Sequence, residues 1–284
     1  MTKSLVRTCV ALTCFSVCTG LGFAQEITLL PNNSILDSLQ SITDSTVPSS
    51  NGDLNPYGVA FVPAGFPSGP NIAAGDVLVS NFNSSANLEG TGTTIISVSP
   101  TGQQSLFATS TLIGLSTALG VLSRGFMLVG NLPVTYSGTV GTPGQGSLQI
   151  FDRNGAHLIT LSDAKFLDSP CDLTINDLGS VAQVFVSNVL SGTVTRLDLL
   201  IVNGGVTVVR RTHIGSGFGH QLIPAIVAVG PTGLAYDPGC DVLYVASTAD
   251  NEIFAITDAA TRNTSAGTGF VVFADQTHLH GRWD

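Results

Sequence analysis

Three histidines, His220, His278 and His280, are the residues of this chain best suited to hold a metal. In an extended segment, His278-x-His280 puts both rings on one side. Three neutral imidazoles can bind zinc or another divalent cation and leave one coordination position open. Asp172 or Asp53 could then act as a base or a further ligand. Against this, the histidines are far apart in sequence and no carboxylate is spaced to match, the pattern of ordinary loop residues. The favoured reading is therefore no cofactor, with a divalent metal as the alternative.

A second group is made of amides and a carboxylate. Asn81, Asn131 and Asn188 each follow a short apolar run at matching positions, while Asn55 and Asp172 lie where other runs begin. Such a column can cap strand ends, because Asn bonds nearby backbone and tolerates left-handed geometry, or it can offer hydrogen bonds to a ligand at a shared rim. Capping is the favoured role for the asparagines. Nucleophilic catalysis finds no support. There is no G-x-S-x-G turn, and Cys171 has no base near it in sequence. Gly215-Ser-Gly217-Phe-Gly219 lacks the Lys and following helix of a phosphate loop, so it reads as a flexible connection. The scattered Asp residues never take calcium-loop spacing.

What must position these groups is a repeat. Each copy has a Pro/Gly-bearing start, a short apolar strand, a turn, a second apolar strand ending small or polar, and then a hairpin. The copies open at Pro56-Tyr-Gly-Val-Ala, Ala118-Leu-Gly-Val-Leu, Pro170-Cys-Asp-Leu and Pro231-Thr-Gly-Leu-Ala. Ser99-Pro-Thr-Gly, Asp152-Arg-Asn-Gly and Val202-Asn-Gly-Gly are turn sequences between apolar runs. Four short strands per copy make an all-β chain, a β-propeller of four-stranded antiparallel blades. Each twisted sheet leaves two apolar faces that neighbours bury by packing face to face around an axis. The first strand of each blade then lines the axis. The loop before it and the loop after the second strand open on one end, which gathers the amides, Asp172 and the histidines. Cys171 falls on that end and Cys240 on the other, too far apart for a disulfide.

Pro231-x-Gly233-Leu-Ala, Asp237, Leu243-Tyr-Val-Ala and Asn251-x-Ile resemble the NHL repeat, and Pro56-x-Gly58-Val-Ala matches its opening. The resemblance covers about residues 55–284 and implies bacterial, often exported propellers of six blades. It implies a fold rather than an activity, since such propellers serve as binding modules, lyases and lactonases. About four blades fit, with a fifth beginning at Thr277-His-Leu-His-Gly281. The chain thus reads as a C-terminally shortened form of a five- or six-bladed parent. Residues 25–54 contain Glu26 to Leu30, a strand that could complete the last blade.

Residues 1–24 read as a signal peptide. Lys3 and Arg7 precede an apolar stretch, and Gly22-Phe23-Ala24 offers a cleavage site. The expected location is secreted or periplasmic. The whole chain has formal net charge −9, and removing the leader leaves 8 Lys and Arg against 19 Asp and Glu. That balance argues against nucleic acid or an anionic membrane surface as partner, and no later apolar run is long enough for a helical span. The expected function is an exported module that binds a small molecule or protein. The alternative is a metal-assisted lyase or lactonase at the His220/His278/His280 end. Open terminal blades could also drive association.

Overall fold

The computed structural model describes residues 49–202, 204–223 and 227–274. Those residues form twenty strands and no helix. Blade 1 is built from β1 (Leu54–Phe61), β2 (Val77–Asn83), β3 (Thr94–Val98) and β4 (Gln104–Thr109). Blade 2 uses β5 (Leu115–Leu122) and β6 (Phe126–Asn131), then a small hairpin of β7 (Val134–Ser137) and β8 (Val140–Pro143), then β9 (Ser147–Asp152) and β10 (His157–Leu161). Blade 3 is β11 (Pro170–Asp177), β12 (Val181–Asn188), β13 (Thr193–Val202) and β14 (Gly205–Ser216). A second hairpin, β15 (Gln221–Ile223) with β16 (Val227–Val229), leads to blade 4. That blade is β17 (Pro231–Asp237), β18 (Val242–Ser247), β19 (Glu252–Thr257) and β20 (Phe270–Ala274).

Every blade is a four-stranded antiparallel sheet. The first strands β1, β5, β11 and β17 pack against one another in chain order, the arrangement of strands around a propeller axis. The chain is an all-β propeller.

Burial explains why the blades stack. Ala60, Leu78 and Ile95 of blade 1 share one core with Leu119, Met127 and Val129 of blade 2. Leu122, Leu128 and Ile150 of blade 2 meet Leu173, Val184 and Val186 of blade 3. Phe185 and Val194 of blade 3 meet Leu243, Val245 and Ile256 of blade 4. Each sheet exposes alternate side chains to its two faces, so both faces of an inner blade find an apolar neighbour. Fully burying one such side chain contributes roughly 1.5–3 kcal/mol, and dozens are buried.

Polar side chains complete the contact between blades 3 and 4. Arg196, only 2% exposed, donates through Nη1 to the carbonyls of Ala259 at 2.9 Å and Arg262 at 3.0 Å. Its Nε meets Asp198 Oδ1 at 2.9 Å. Gln183 Nε2 donates to Asp198 Oδ1 at 3.3 Å and to the Ala260 carbonyl at 2.6 Å. The buried cation is thus fully engaged, as burial of a charge requires.

Two expectations change. Gly215–Gly219 is no flexible connection: Phe218 is 1% exposed within the core between blades 3 and 4, and the Gly219 amide donates to Asp250 Oδ2 at 2.8 Å. Inserted hairpins β7–β8 and β15–β16 also depart from the plain four-strand repeat. Strands β13 and β14 pair up to Val202 opposite Gly205, with Leu197, Leu199 and Ile201 buried. Glu26–Leu30 and the start of a fifth blade at Thr277–Gly281 lie outside the described residues.

Candidate functional site at the bulged end of the inner strands

Each inner strand carries an irregularity at its start. Pro56 pairs with Asn81 while Gly58 pairs with Ser80, so Tyr57 is an extra residue in the ladder. Pro170 pairs with Asn188 and Asp172 with Ser187, leaving out Cys171. Pro231 pairs with Ser247 and Gly233 with Ala246, leaving out Thr232. A longer shift separates Leu115, opposite Asn131, from Leu119, opposite Val129, and spans Thr117. Bulges re-aim side chains and mark sheet edges near sites.

The residues ending the second strands hold these bulges. The Gly58 amide donates to Ser80 Oγ at 3.0 Å, and that hydroxyl donates to the Ser116 carbonyl of blade 2 at 2.9 Å. The Asp172 amide donates to Ser187 Oγ at 3.0 Å. Ser116 Oγ donates to the Pro170 carbonyl at 2.7 Å. Thr117 Oγ1 donates to the carbonyl of Cys171. The backbone groups released by the bulges are satisfied within and between blades, as buried polar groups must be.

The asparagine column sits at one register position, as its spacing in sequence suggested, and is buried. Asn81 Nδ2 donates to Thr94 Oγ1 at 3.1 Å. Asn131 Oδ1 accepts from Ser147 Oγ at 2.7 Å, and its Nδ2 donates to the Ile113 carbonyl at 3.0 Å. Asn188 Nδ2 donates to Thr193 Oγ1 at 3.1 Å and Thr195 Oγ1 at 3.2 Å, while its Oδ1 accepts the Asp168 amide at 3.0 Å. In each case the amide ties the end of the second strand to the start of the third. Asn55, half-buried at φ 60°, donates to Asn83 Oδ1 at 3.1 Å. Asp53 Oδ2 accepts both amides and both hydroxyls of Thr93 and Thr94, between 2.7 and 3.0 Å.

Around the bulges lies a group the sequence reading passed over. Tyr57 has 44% of its surface exposed and stacks on Phe82 with ring centroids 4.6 Å apart. The surrounding protein pushes its hydroxyl up to about 12, with Cys171 and Glu89 adding smaller upward effects. Burial likewise raises Glu89. Tyr136, on the β7–β8 hairpin, donates its hydroxyl to the Glu89 carbonyl at 3.1 Å. Val134 of that hairpin shares a small core with Phe82, Cys171 and Val227 of the β15–β16 hairpin. The two insertions meet through β8 and β16 and form a collar beside the bulges. The one available signal was the residue between Pro and Gly or Asp in each repeat opening, which names Tyr57, Cys171 and Thr232.

The titratable groups beside the bulges are shifted toward their neutral forms. Cys171 is buried, and desolvation, reinforced by Asp172, drives its thiol up to about 12; it is a neutral thiol at physiological pH, a poor nucleophile. It forms no disulfide with the exposed Cys240. Burial raises Asp172 to about 6, against which the amides of Leu234 and Leu173 act. Its Oδ2 accepts the Leu234 amide of blade 4 at 2.7 Å. Asp168 is raised by burial, an effect partly offset by nearby His220.

His220 is exposed, with Nδ1 3.1 Å from the Phe218 carbonyl. His278 and His280 lie outside the described residues. Among the described residues no three His, Cys, Asp or Glu side chains gather as a metal would require.

No family model matches the sequence, and the search of curated proteins found no match. Among solved structures, a protein from Lactobacillus plantarum aligns at 13% identity and TM-score 0.37 over 63% of this chain and 48% of that one; the alignment spans about half of that protein. A candidate oxidoreductase (glucose dehydrogenase) of Thermus thermophilus aligns at 13% identity and TM-score 0.42, covering 81% and 68%. A candidate 6-phosphogluconolactonase of Bacteroides fragilis aligns at 16% identity and TM-score 0.28, covering 80% and 82%. Likeness this distant says nothing about activity, and the fold assignment rests on the blades themselves.

Proposed function

We propose that this chain is an exported, NHL-type propeller that binds a small polar molecule or a protein segment at the bulged end, without catalysis. The observation that carries the reading is the convergence of Tyr57, Thr117 and Cys171. The hydroxyl of Thr117 bonds the Cys171 carbonyl, and Tyr57 stacks on Phe82, which shares a small core with Cys171. An exposed aromatic ring beside hydroxyls and half-buried acids fits a neutral or weakly basic polar ligand, because rings supply contact area and the polar groups set orientation. The acids Glu89, Asp168 and Asp172 disfavour an anion. With the asparagine amides committed to the strands, a ligand meets the bulge residues and the collar first.

A thermal-shift screen of neutral sugars, polyols and small amines against the mature protein tests this. Compounds should raise the melting temperature of the wild type and fail to do so for Tyr57→Ala. The competing reading, a metal-assisted lyase or lactonase using His220, His278 and His280, is tested in parallel. Lactone hydrolysis that appears with added Zn²⁺ and disappears in His220→Ala would replace the binding proposal.

A further inference from the structure

The inner strands obey a size rule that, among the described residues, leaves one interface unmade. Register against the second strands aligns Val59, Leu119, Leu173 and Leu234, each opposite a Val of its own blade. The same registers align Phe61, Val121, Ile175 and Tyr236. These large residues face the preceding blade. Between them alternate Gly58, Ala118, Asp172 and Gly233, then Ala60, Gly120, Thr174 and Ala235, which face the following blade.

Three interfaces inside the chain show the fit. A Cβ at Gly58 would lie 3.1 Å from Leu119 Cβ, and one at Gly120 would lie 2.6 Å from both Leu173 and Ile175 Cδ1. The Leu234 amide reaches Asp172, and the Tyr236 ring lies 4.8 Å from that of Phe185. Leu119 and Leu173 are 4% and 6% exposed. Their counterparts in blade 1 are not covered: Val59 is 55% exposed and Phe61 76%. At the far end, Ala235 is exposed and Tyr244, next to it in the ladder, is 38% exposed. Among the described residues β17 does not pack on β1 as the other inner strands pack on one another. The exposure on blade 1 is concentrated on its inner strand, since Val79 and Ile96 on the same face are buried.

We propose that the inner strand of blade 1 docks on blade 4 of a second copy of this chain, Val59 and Phe61 filling the surface left by Gly233 and Ala235. The argument is continuity: the two free surfaces carry the two halves of the inner-strand contact that this chain already makes three times, between β1 and β5, β5 and β11, and β11 and β17. Neither Pro56–Phe61 nor Gly233–Tyr236 contains a charged residue, so the contact needs no ion pairing. Because the halves differ, the contact is head-to-tail and must close as a ring or propagate. Two copies contribute eight described blades, at the upper end of the four to eight usual for propellers. The proposal does not depend on what the bulged end binds.

The test is the mass of the full mature protein by light scattering from about 1 to 100 µM, for wild type, Phe61→Glu and Ala235→Arg. Both positions are exposed, so circular dichroism should match wild type and the two variants should melt together, somewhat below wild type, which gains stability from association, with Val59→Glu as a second variant of the same surface. Wild type should be a dimer and each variant alone a monomer. An equimolar mixture of Phe61→Glu and Ala235→Arg should recover dimer, because it retains one intact head-to-tail contact. A wild-type monomer throughout overturns the proposal, and so does failure of the mixture to associate. A Phe61→Glu that melts well below Ala235→Arg, with both monomeric, would show instead that the chain's own residues cover this face and would overturn the proposal.

Discussion

The Asp172 carboxylate of blade 3 accepts the Leu234 amide of blade 4 at 2.7 Å, where the register of the other blades has Gly or Ala. The side chain crosses from one inner strand to the next beside the bulge at Cys171. Burial raises its pKa from 3.8 to about 6. The folded chain therefore binds this proton more tightly than the unfolded chain. That contribution to stability is full below about pH 4 and is lost as the pH rises through about 6. Asp172→Asn keeps an oxygen for Leu234 and removes the charge. Thermal melts should show the variant gaining on wild type as the pH rises from 4 to 8, on the order of 1–2 kcal/mol. A constant difference across that range would contradict the account.

Cys171 and Cys240 should differ sharply in reactivity. The thiol of Cys171 stands at about 12 against an ordinary 9.0, which lowers its thiolate fraction roughly a thousandfold near neutral pH. Cys240 is exposed. Iodoacetamide at pH 8 should label Cys240 in the native protein and Cys171 only after denaturation, as peptide mass spectrometry would show. Comparable rates for the two would place Cys171 in a more open setting.

Arg196 should be the most costly polar residue to remove from the contact between blades 3 and 4. Arg196→Ala removes the charged partner of Asp198 and the donor to two carbonyls. Breaking a buried pair by deleting one partner costs roughly 3–5 kcal/mol. Chemical denaturation should report a loss of that order. A change below about 1 kcal/mol, the range of exposed ion pairs, would contradict the burial.

Gly58 tests the close approach of the first two inner strands. A Cβ there would lie 2.5 Å from Ser80 Oγ and 2.8 Å from the Ser116 carbonyl. Backbone cannot yield as a side-chain tip can, so Gly58→Ala should destabilise by about 1–3 kcal/mol, the usual cost of overpacking. Denaturation midpoints equal to wild type would mean that β1 moves freely against β5.

The architecture was legible because its cause is written locally. Runs such as Val184-Phe-Val and Leu243-Tyr-Val alternate faces, and the turns at Ser99, Asp152 and Val202 contain the residues such turns demand. The shared level of Asn81, Asn131 and Asn188 followed from strand order alone. What escaped was whatever depends on a residue's partners in other blades. The bulge that exposes Tyr57 exists because Ser80 receives the Gly58 amide, and nothing local links the two. The collar was hidden because Val134–Pro143 has too few residues to display a clear period. Phe218 was misread because three glycines flank a side chain whose core lies in two blades.

The central claim is that ligands meet this protein where its inner strands bulge. Amide chemical shifts of the mature protein, followed while a compound from the thermal-shift screen is added, test it most directly. The account predicts the largest shifts at Tyr57–Gly58, Ser116–Ala118 and Cys171–Asp172, with smaller ones on the β7–β8 hairpin. Shifts centred on Asp237–Asp241 at the opposite end, or spread over the outer strands, would contradict it.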